Sequence, residues 1–304
     1  MSEIPARGAT LLLFVDGIGL GTRGAHNPFT AVARSVLAPL GGHVDSPVAG
    51  WSLQPLDASL GVPGLPQSAS GTATILTGVN VAEAIGEHLF AFPDHRVRPI
   101  LAEHSVLAAV RRAGQSSAYL NAFTEERALA SADWSQKIHR GACTCAALAG
   151  GGTLYTLGDL EAGRAASFDL THEVLLGMGI SVAPITMRDA ARALVRGARE
   201  VSLALFELFL TDKAGHSQDT YFAHREVSRT ERLIEALTEE FDPTRDTILL
   251  VSDHGNLEDL STRGHTMASV PALAWGRGSV ELVRTMRSLT DITPALLRHV
   301  LQDI

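Results

Sequence analysis

Cysteine is scarce in this chain, and Cys143 and Cys145 are the only two among its 304 residues. Two cysteines are too few for a disulfide framework, so we expect the protein to reside in a reducing compartment. A Cys-x-Cys pair can bind a soft metal, but no further cysteine completes a thiolate site. We therefore predict a structural or neutral role for both thiols.

Long apolar runs are also missing. The first apolar run, Leu11 to Val15, is too short to cross a membrane. Residues 1–10, MSEIPARGAT, have mixed charges and a proline and lack the flanks of a secretion signal. We therefore expect a cytoplasmic protein that has no membrane partner.

The chain has fewer basic than acidic residues, with 25 Lys and Arg against 33 Asp and Glu, which gives a net charge of −8. This balance excludes nucleic acid as a stable partner that is bound by broad phosphate neutralisation. A hydrophobic fraction of 45% indicates a folded globular chain rather than a disordered one. An acidic protein can still bind a small phosphate ester where metal cations neutralise its site.

Buried strands are the clearest structural signal in the sequence. Five apolar runs have the length of a strand: Ala9–Val15, Ser117–Leu120, Ser202–Leu210, Thr247–Ser252 and Val270–Trp275. Apolar runs without alternation predict a mostly parallel sheet that is covered on both faces.

Helical patterns lie between the predicted strands, at Leu101–Ala113, at His224–Glu240 and after Thr293-Pro294. We interpret Thr293 as an N-cap and Pro294 as the first helical residue. Alternating strands and helices predict an α/β fold. We expect one domain over residues 1–304, with a small insertion at about 124–200.

Three aspartates follow three of the predicted strands, at Asp16, Asp212 and Asp253. Functional groups of open α/β sheets gather beyond the carboxyl ends of the strands. If the three strands are neighbours, the carboxylates converge, and their mutual repulsion requires cations. Taken singly, each Asp is equally well explained as a helix N-cap.

Three histidines accompany the aspartates. His254 follows Asp253 directly, and His265 lies in the next loop. His216 comes four residues after Asp212, which places both side chains on one face if a helix begins there. A lone histidine is usually a surface residue, but the ordered set of Asp and His predicts zinc or manganese rather than calcium.

Residues 65–78, LPQSASGTATILTG, predict a loop that leads into a helix, with Ser68 at or before the helix start. Free backbone N–H groups and the helix dipole favour an alkoxide and a bound phosphate at that place. A packing turn of small residues is the alternative interpretation. Ser70, two residues along the chain, is a rival nucleophile.

Four motifs resemble the metal motifs of the alkaline phosphatase superfamily: VDGIG at 15–19, TDKAGH at 211–216, SDHGN at 252–256 and GHT at 264–266. They are most similar to those of cofactor-independent phosphoglycerate mutases. The serine segment is similar to that of nucleotide pyrophosphatase/phosphodiesterases, in which the nucleophile precedes a Thr-Gly pair by nine residues, as Ser68 precedes Thr77-Gly78.

The resemblance implies an alkaline-phosphatase-like sheet with helices on both faces and a site for two divalent ions, zinc or manganese. One ion would be held by Asp212, His216 and His265. The other would be held by Asp16, Asp253 and His254, with Ser68 joining it. Ser68 would also be the nucleophile and would form a phosphoserine intermediate.

Three further residues are candidates for binding the substrate. Thr72 stands four residues after Ser68, where many relatives have an Asn that holds a phosphate oxygen. His88 follows the serine segment closely enough to reach a substrate, although a surface position is common for histidine. Lys213, beside Asp212, would pair with phosphate or balance the carboxylate.

We therefore predict a metal-dependent phosphoric ester hydrolase, either a phosphomonoesterase or a phosphodiesterase, that acts on a small-molecule phosphate ester. One alternative is a phosphomutase of the phosphoglycerate mutase or phosphopentomutase type, which needs a large inserted domain to retain its intermediate. The short middle segment favours hydrolysis. A second alternative is a non-catalytic binding module, which would be expected to have lost some of the six ligands.

Overall fold

A six-stranded sheet forms the centre of the computed structural model, which describes residues 8–42, 50–134 and 139–302. The strands in the described residues are β1 Thr10–Val15, β2 Trp51–Leu56, β3 Ser117–Tyr119, β4 Ala122–Phe123, β5 Tyr155–Thr156, β6 Leu203–Leu208, β7 Thr247–Val251 and β8 Val270–Gly276. The sheet has the order β2-β8-β7-β1-β6-β3. Strands β7, β1, β6 and β3 run parallel, and β8 is antiparallel to both β7 and β2. Strands β4 and β5 pair separately.

Helices connect most of these strands. Those in the described residues are α1 Pro28–Val32, α2 Ser68–Thr77, α3 Val81–Ile85, α4 Val97–His104, α5 Val106–Arg112, α6 Glu125–Ala132, α7 Ala142–Leu148, α8 Leu157–Glu161, α9 Glu173–Gly177, α10 Met187–Arg199, α11 Leu210–Ser217, α12 Thr220–Glu240, α13 Ser279–Arg284 and α14 Ile292–Leu301. Short 3₁₀ turns occupy Ala38–Gly41, Ala149–Gly151 and Leu289–Asp291. None of the helices in the described ranges combines the length and the apolar character of a membrane span.

Both faces of the sheet are covered, as the side chains of β1 show. Leu12 and Phe14 pack on one face, among buried residues of α2, α4, α5, α7 and α14. Leu11 and Leu13 pack on the opposite face, among buried residues of α10 and α12. All four are buried, which explains why the strand is continuously apolar instead of alternating.

The five predicted strands are confirmed and belong to the same sheet. The sixth strand, β2, was not predicted from the sequence. It is an edge strand of partly exposed residues and contains Pro55, so it lacks the buried apolar signature of the others. Because β8 is antiparallel to both of its neighbours, the sheet is mixed, and its parallel part lies under the site.

Two helix predictions are corrected by the structure. The residues predicted as one helix, Leu101–Ala113, are helical but not continuous, because Ser105 ends α4 and begins α5 as its N-cap, accepting a hydrogen bond from Ala108 N. The capping role of Thr293 is wrong. The last helix begins at Ile292, and the Thr293 hydroxyl donates instead to the Ile75 carbonyl. The amphipathic helix predicted at His224–Glu240 is confirmed as α12.

The segment 124–200 contains α6 to α10, β5 and the 3₁₀ turn Ala149–Gly151. Its last helix, α10, packs against α12. It buries Leu194 and Val195 in the core on the face of the sheet that also buries Leu11 and Leu13. The earlier part lies over the carboxyl ends of the strands, where Thr124, Leu175 and Met178 line a cavity. The prediction of one domain with an insertion stays a prediction.

Candidate metal centre

The three predicted aspartates converge because their strands are neighbours in the order β7-β1-β6. Asp16 directly follows β1, Asp253 lies two residues after β7, and Asp212 is in the first turn of α11. The Asp16 N–H donates to the Leu208 carbonyl at 2.8 Å, which ties the ends of β1 and β6 together. The parallel arrangement therefore brings three carboxylates to one edge of the sheet.

The first group of candidate ligands consists of Asp212, His216 and His265, whose ligand atoms all lie within 4.8 Å of one another. Asp212 and His216 are four residues apart on α11, and Oδ2 of the carboxylate is 3.4 Å from Nε2 of the imidazole. His265 Nε2 is 3.7 Å from the other carboxylate oxygen of Asp212. The helix expected after β6, which is α11, is thus what brings Asp212 and His216 together.

Backbone carbonyls orient the imidazoles of this group. His216 Nδ1 lies 2.6 Å from the Arg263 carbonyl, and His265 Nδ1 lies 2.7 Å from the Pro66 carbonyl. Since a carbonyl only accepts, both Nδ1 atoms carry the proton, and in the neutral rings both Nε2 atoms present lone pairs. These two Nε2 atoms are only 3.2 Å apart. Facing lone pairs repel each other, and a cation bound by both would relieve that repulsion.

The second group consists of Asp16, Asp253 and His254, which are also within 4.8 Å by their ligand atoms. His254 Nε2 is 3.4 Å from Asp16 Oδ1 and 3.6 Å from Asp253 Oδ2. Asp16 Oδ1 is buried and accepts no hydrogen bond from the described residues. The His254 and His265 rings stack with centroids 3.7 Å apart, so the two groups are adjacent.

The electrostatics of the second group are unfavourable in the absence of a cation. Burial raises the pKa of Asp16 well above its ordinary range, and the charges of Asp253 and Asp212 raise it further. Burial likewise raises the pKa of Asp253 to about 7. Burial and His265 lower the pKa of His254 to about 3, which keeps its imidazole neutral. An orphaned carboxylate oxygen, crowded carboxylates and the neutral His254 imidazole are the donor set that suits a divalent metal ion.

Residues outside the six candidates hold this geometry. Asn256 Nδ2 donates to Asp212 Oδ1 at 2.7 Å. Glu258 is buried and accepts from Gly19 N and Asn256 N, which fixes the loop after β7. Gly17 has φ of +71°, and a Cβ there would lie 2.8 Å from the Asp212 side chain. The sequence analysis did not assign a role to Asn256 or Gly17. Their places inside the SDHGN and VDGIG motifs were the signal that could have indicated one.

Ser68 lies at the predicted place, as the first residue of α2, and its Oγ is 3.0 Å from His254 Nε2. The rival residue, Ser70, is fully buried; its hydroxyl donates to the Gln67 carbonyl and accepts from Leu89 N. The structure therefore brings Ser68, and not Ser70, into contact with the ligand groups.

The three candidate substrate residues have different surroundings. Thr72 donates its hydroxyl hydrogen to Asp253 Oδ2 at 2.8 Å, so it supports a ligand candidate and has no hydrogen left for a phosphate oxygen. His88 lies 3.2 Å from the Val62 carbonyl and is not among the described residues that line the cavity. Lys213 is exposed and lines the cavity, with Nζ 4.9 Å from the centre of the Phe209 ring.

A cavity of about 730 Å³ opens directly onto the site, and Asp16, Ser68, Asp212 and His216 form part of its wall. Glu207 also lines it and accepts a hydrogen bond from the Tyr119 hydroxyl. Burial raises the pKa of Glu207 to about 6. This residue was not predicted, although a carboxylate inside the apolar run SLALFELFL was a signal for it.

Comparison with known proteins agrees with this arrangement. The Metalloenzyme superfamily model matches residues 177–303, a segment that contains five of the six candidate ligands: Asp212, His216, Asp253, His254 and His265. No curated protein sequence matches the chain.

Solved structures with the same fold cover nearly the whole chain. The PH0037 protein of Pyrococcus horikoshii is 13% identical, with a TM-score of 0.57 over 97% of this chain and 98% of that one. The alkaline phosphatase of the Antarctic bacterium TAB5 is 13% identical, with a TM-score of 0.55 over 98% and 99%. The cold-active alkaline phosphatase of a psychrophilic Shewanella sp. is 11% identical, with a TM-score of 0.58 over 96% and 99%.

The sequence motifs, the matched C-terminal segment and the fold point to the same group of proteins. The predicted resemblance is confirmed: this chain has the alkaline-phosphatase-like α/β fold, and its residues 177–303 match the Metalloenzyme superfamily.

Proposed function

We propose that this protein is a phosphohydrolase that uses two divalent cations and the Ser68 nucleophile to cleave a small-molecule phosphate monoester or diester. The observation that carries the proposal is the position of the Ser68 hydroxyl. It lies at the start of α2, 3.0 Å from His254 Nε2, and Ser68 lines a cavity large enough for an organic ester.

Two sets of three residues would hold the cations: Asp212, His216 and His265 in one set, and Asp16, Asp253 and His254 in the other. When bound, the cations would neutralise the carboxylates, lower the pKa of the Ser68 hydroxyl and stabilise negative charge on the transferred phosphoryl group. Zinc and manganese both suit this mixture of Asp and His.

The chain itself positions the nucleophile and the phosphoryl group. Ser68 is the first residue of a ten-residue helix, whose positive dipole end favours both the ionised hydroxyl and an anionic ester. Thr72 and Gly17 N donate to the two oxygens of Asp253, at 2.8 Å and 3.4 Å, and keep that carboxylate aimed at the site. Asn256 does the same for Asp212.

The proposed reaction has two displacements. In the first, a bond forms between Ser68 Oγ and phosphorus, the ester P–O bond breaks, and the hydroxyl proton leaves with the departing alcohol. In the second, a water oxygen bonds to phosphorus, the Oγ–P bond breaks, and a water proton returns to Oγ. The net result is that a monoester and water give an alcohol and phosphate, and that a diester and water give an alcohol and a phosphate monoester.

Hydrolysis is favoured over a mutase reaction by two considerations. Two of the similar structures are alkaline phosphatases. The cavity wall also consists mainly of apolar and aromatic side chains, which suit poorly the hydroxyl-rich intermediates that a sugar or glycerate mutase must retain. Thr124, Leu175 and Ile180 also line the cavity, so the middle segment contributes to its wall. A cytoplasmic location stays a prediction.

The experiment compares released phosphate with isomerised substrate. Protein loaded with zinc or manganese should release free phosphate from an aryl phosphate monoester, or the aryl alcohol and a phosphate monoester from an aryl diester, and a chelator should stop the release. With 3-phosphoglycerate or a pentose 1-phosphate as the substrate, rapid isomerisation without free phosphate would identify a mutase and overturn the hydrolase proposal.

A further inference from the structure

The cavity is much larger than a phosphate group needs. If each phosphate oxygen takes about the 30 Å³ of a water molecule, the group fills on the order of 100 Å³. The cavity measures about 730 Å³. Most of its volume therefore lies beyond the candidate ligands and is available to the organic part of an ester.

The wall of that remaining volume is mainly aromatic and apolar. Its aromatic and apolar side chains include Phe90, Phe92, Phe123, Phe168, Phe209 and Met178. Phe168 stacks on Phe209 with ring centroids 5.1 Å apart. Phe92 stacks on His139 at 4.8 Å. Rings from separate parts of the chain thus converge on one space, as they do in pockets for flat apolar ligands.

Several apolar side chains of the wall are also exposed. Phe90 is 66% exposed and Met178 is 64% exposed. Covering apolar side chains of this size with a ligand removes their surface from water, which favours binding. A cavity wall that leaves them uncovered favours an apolar occupant.

The deeper polar groups of the wall are already bonded within the protein. The Tyr119 hydroxyl donates to Glu207. Asn121 Nδ2 donates to the Glu207 carbonyl, and Asn121 Oδ1 accepts from the Glu207 N–H. Thr124 Oγ1 accepts from Arg127 N at 3.2 Å. Sugar or glycerate hydroxyls beside these deeper groups would lose hydrogen bonds to water and find few in return, whereas the charged side chains Arg127 and Lys213, which also line the cavity, are exposed.

We infer that the ester bound at this site has an aromatic ring system, and not a sugar or a glycerate, as its alcohol part. The inference rests on the proposed function, because it assumes that the phosphoryl group lies at Ser68 and the six candidate ligands. The ring would occupy the space between the Phe168–Phe209 pair and the Phe90–Phe92 segment, and Lys213 would lie at the rim.

Binding of phosphonates that cannot be hydrolysed tests the inference without turnover. We expect zinc-loaded protein to bind 1-naphthylphosphonate at least about tenfold more tightly than methylphosphonate in calorimetry. Phe168→Ala and Phe90→Ala should each weaken naphthyl binding about three- to tenfold and leave methylphosphonate binding unchanged. Tyr221→Ala is the matched control, because Tyr221 is an aromatic residue that is 79% exposed on α12, away from the cavity.

Equal affinity for the two phosphonates, or equal losses in Phe90→Ala and Tyr221→Ala, would overturn the inference. Turnover separates it from the proposed function. Tight naphthyl binding without release of naphthol from either 1-naphthyl phosphate or a 1-naphthyl phosphodiester would refute the hydrolase and leave the ligand class standing. Phosphate release that is as efficient from 3-phosphoglycerate as from 1-naphthyl phosphate would confirm hydrolysis and refute the aromatic preference.

Discussion

Ser68 Oγ lies 3.0 Å from His254 Nε2. The hydroxyl of Ser70, two residues further along α2, is instead hydrogen-bonded to the backbone of Gln67 and Leu89. The two serines therefore form a matched pair for mutation. One faces the candidate ligands, and the other is fixed in the packing of the helix start.

Ser68→Ala should lower turnover by roughly three orders of magnitude or more, because it removes the group that forms the covalent intermediate. Its metal content should stay close to that of the wild type, since the other six side chains remain. Mass spectrometry of acid-quenched reactions should find phosphate on Ser68 in the wild type. Ser70→Ala should keep most of the activity; the reverse ranking of the two variants would make Ser70 the nucleophile.

Gly17 and Gly86 offer a second matched comparison. Both have a left-handed backbone, with φ of +71° and +81°. A Cβ at Gly17 would clash with Asp212 at 2.8 Å, whereas a Cβ at Gly86 would meet nothing within 4 Å. Each Gly→Ala change should destabilise the fold by about 1–2 kcal/mol through backbone strain. Only Gly17→Ala should also weaken metal binding, by about tenfold, because it displaces a ligand candidate.

Thermal unfolding and metal titration of the two glycine variants check this expectation. The titration is done at a temperature at which both variants remain folded. Similar metal affinities in Gly17→Ala and Gly86→Ala would mean that Gly17 does not set the position of Asp212.

Metal affinity should depend on pH through Asp253, whose pKa is raised to about 7 by burial. Below that pH a proton occupies the carboxylate and competes with the cation, whereas His254, with its pKa lowered to about 3, is already neutral. The affinity of metal-free protein for manganese should therefore increase as the pH rises towards 7, by about tenfold per pH unit for each displaced proton.

The matched variant for the pH series is Asp253→Asn, which cannot release that proton. Its affinity should be lower and its pH slope shallower by about one proton. Identical slopes in the wild type and in Asp253→Asn would show that Asp253 does not bind the ion.

The candidate ligand positions were found partly by local rules and partly by the resemblance to known metal motifs. Asp16 and Asp253 follow continuously apolar strands, and their convergence was expected on the condition that these strands are neighbours in a parallel sheet, which the strand order shows. The four-residue spacing of Asp212 and His216 needed only a helix after β6, and α11 supplies it. The position of Ser68 followed from small residues ahead of a helix.

Other features depend on contacts between distant segments, which no local pattern encodes. The supporting role of Thr72 requires Asp253 to lie beside α2, although 181 residues separate the two in sequence. The break at Ser105 depends on its hydroxyl reaching the Ala146 carbonyl in a different helix. The aromatic cavity likewise draws Phe90, Phe168 and Phe209 from three separate segments, each of which is unremarkable by itself.

The most direct test of the account is the number of divalent ions that the chain binds. After incubation with zinc or manganese and removal of loose metal, elemental analysis should find two ions per chain, and Asp212→Asn and Asp253→Asn should each retain about one. Circular dichroism on the same samples establishes that the proteins are folded. A folded wild-type protein that carries no zinc or manganese would contradict the two-metal site and the phosphohydrolase built on it.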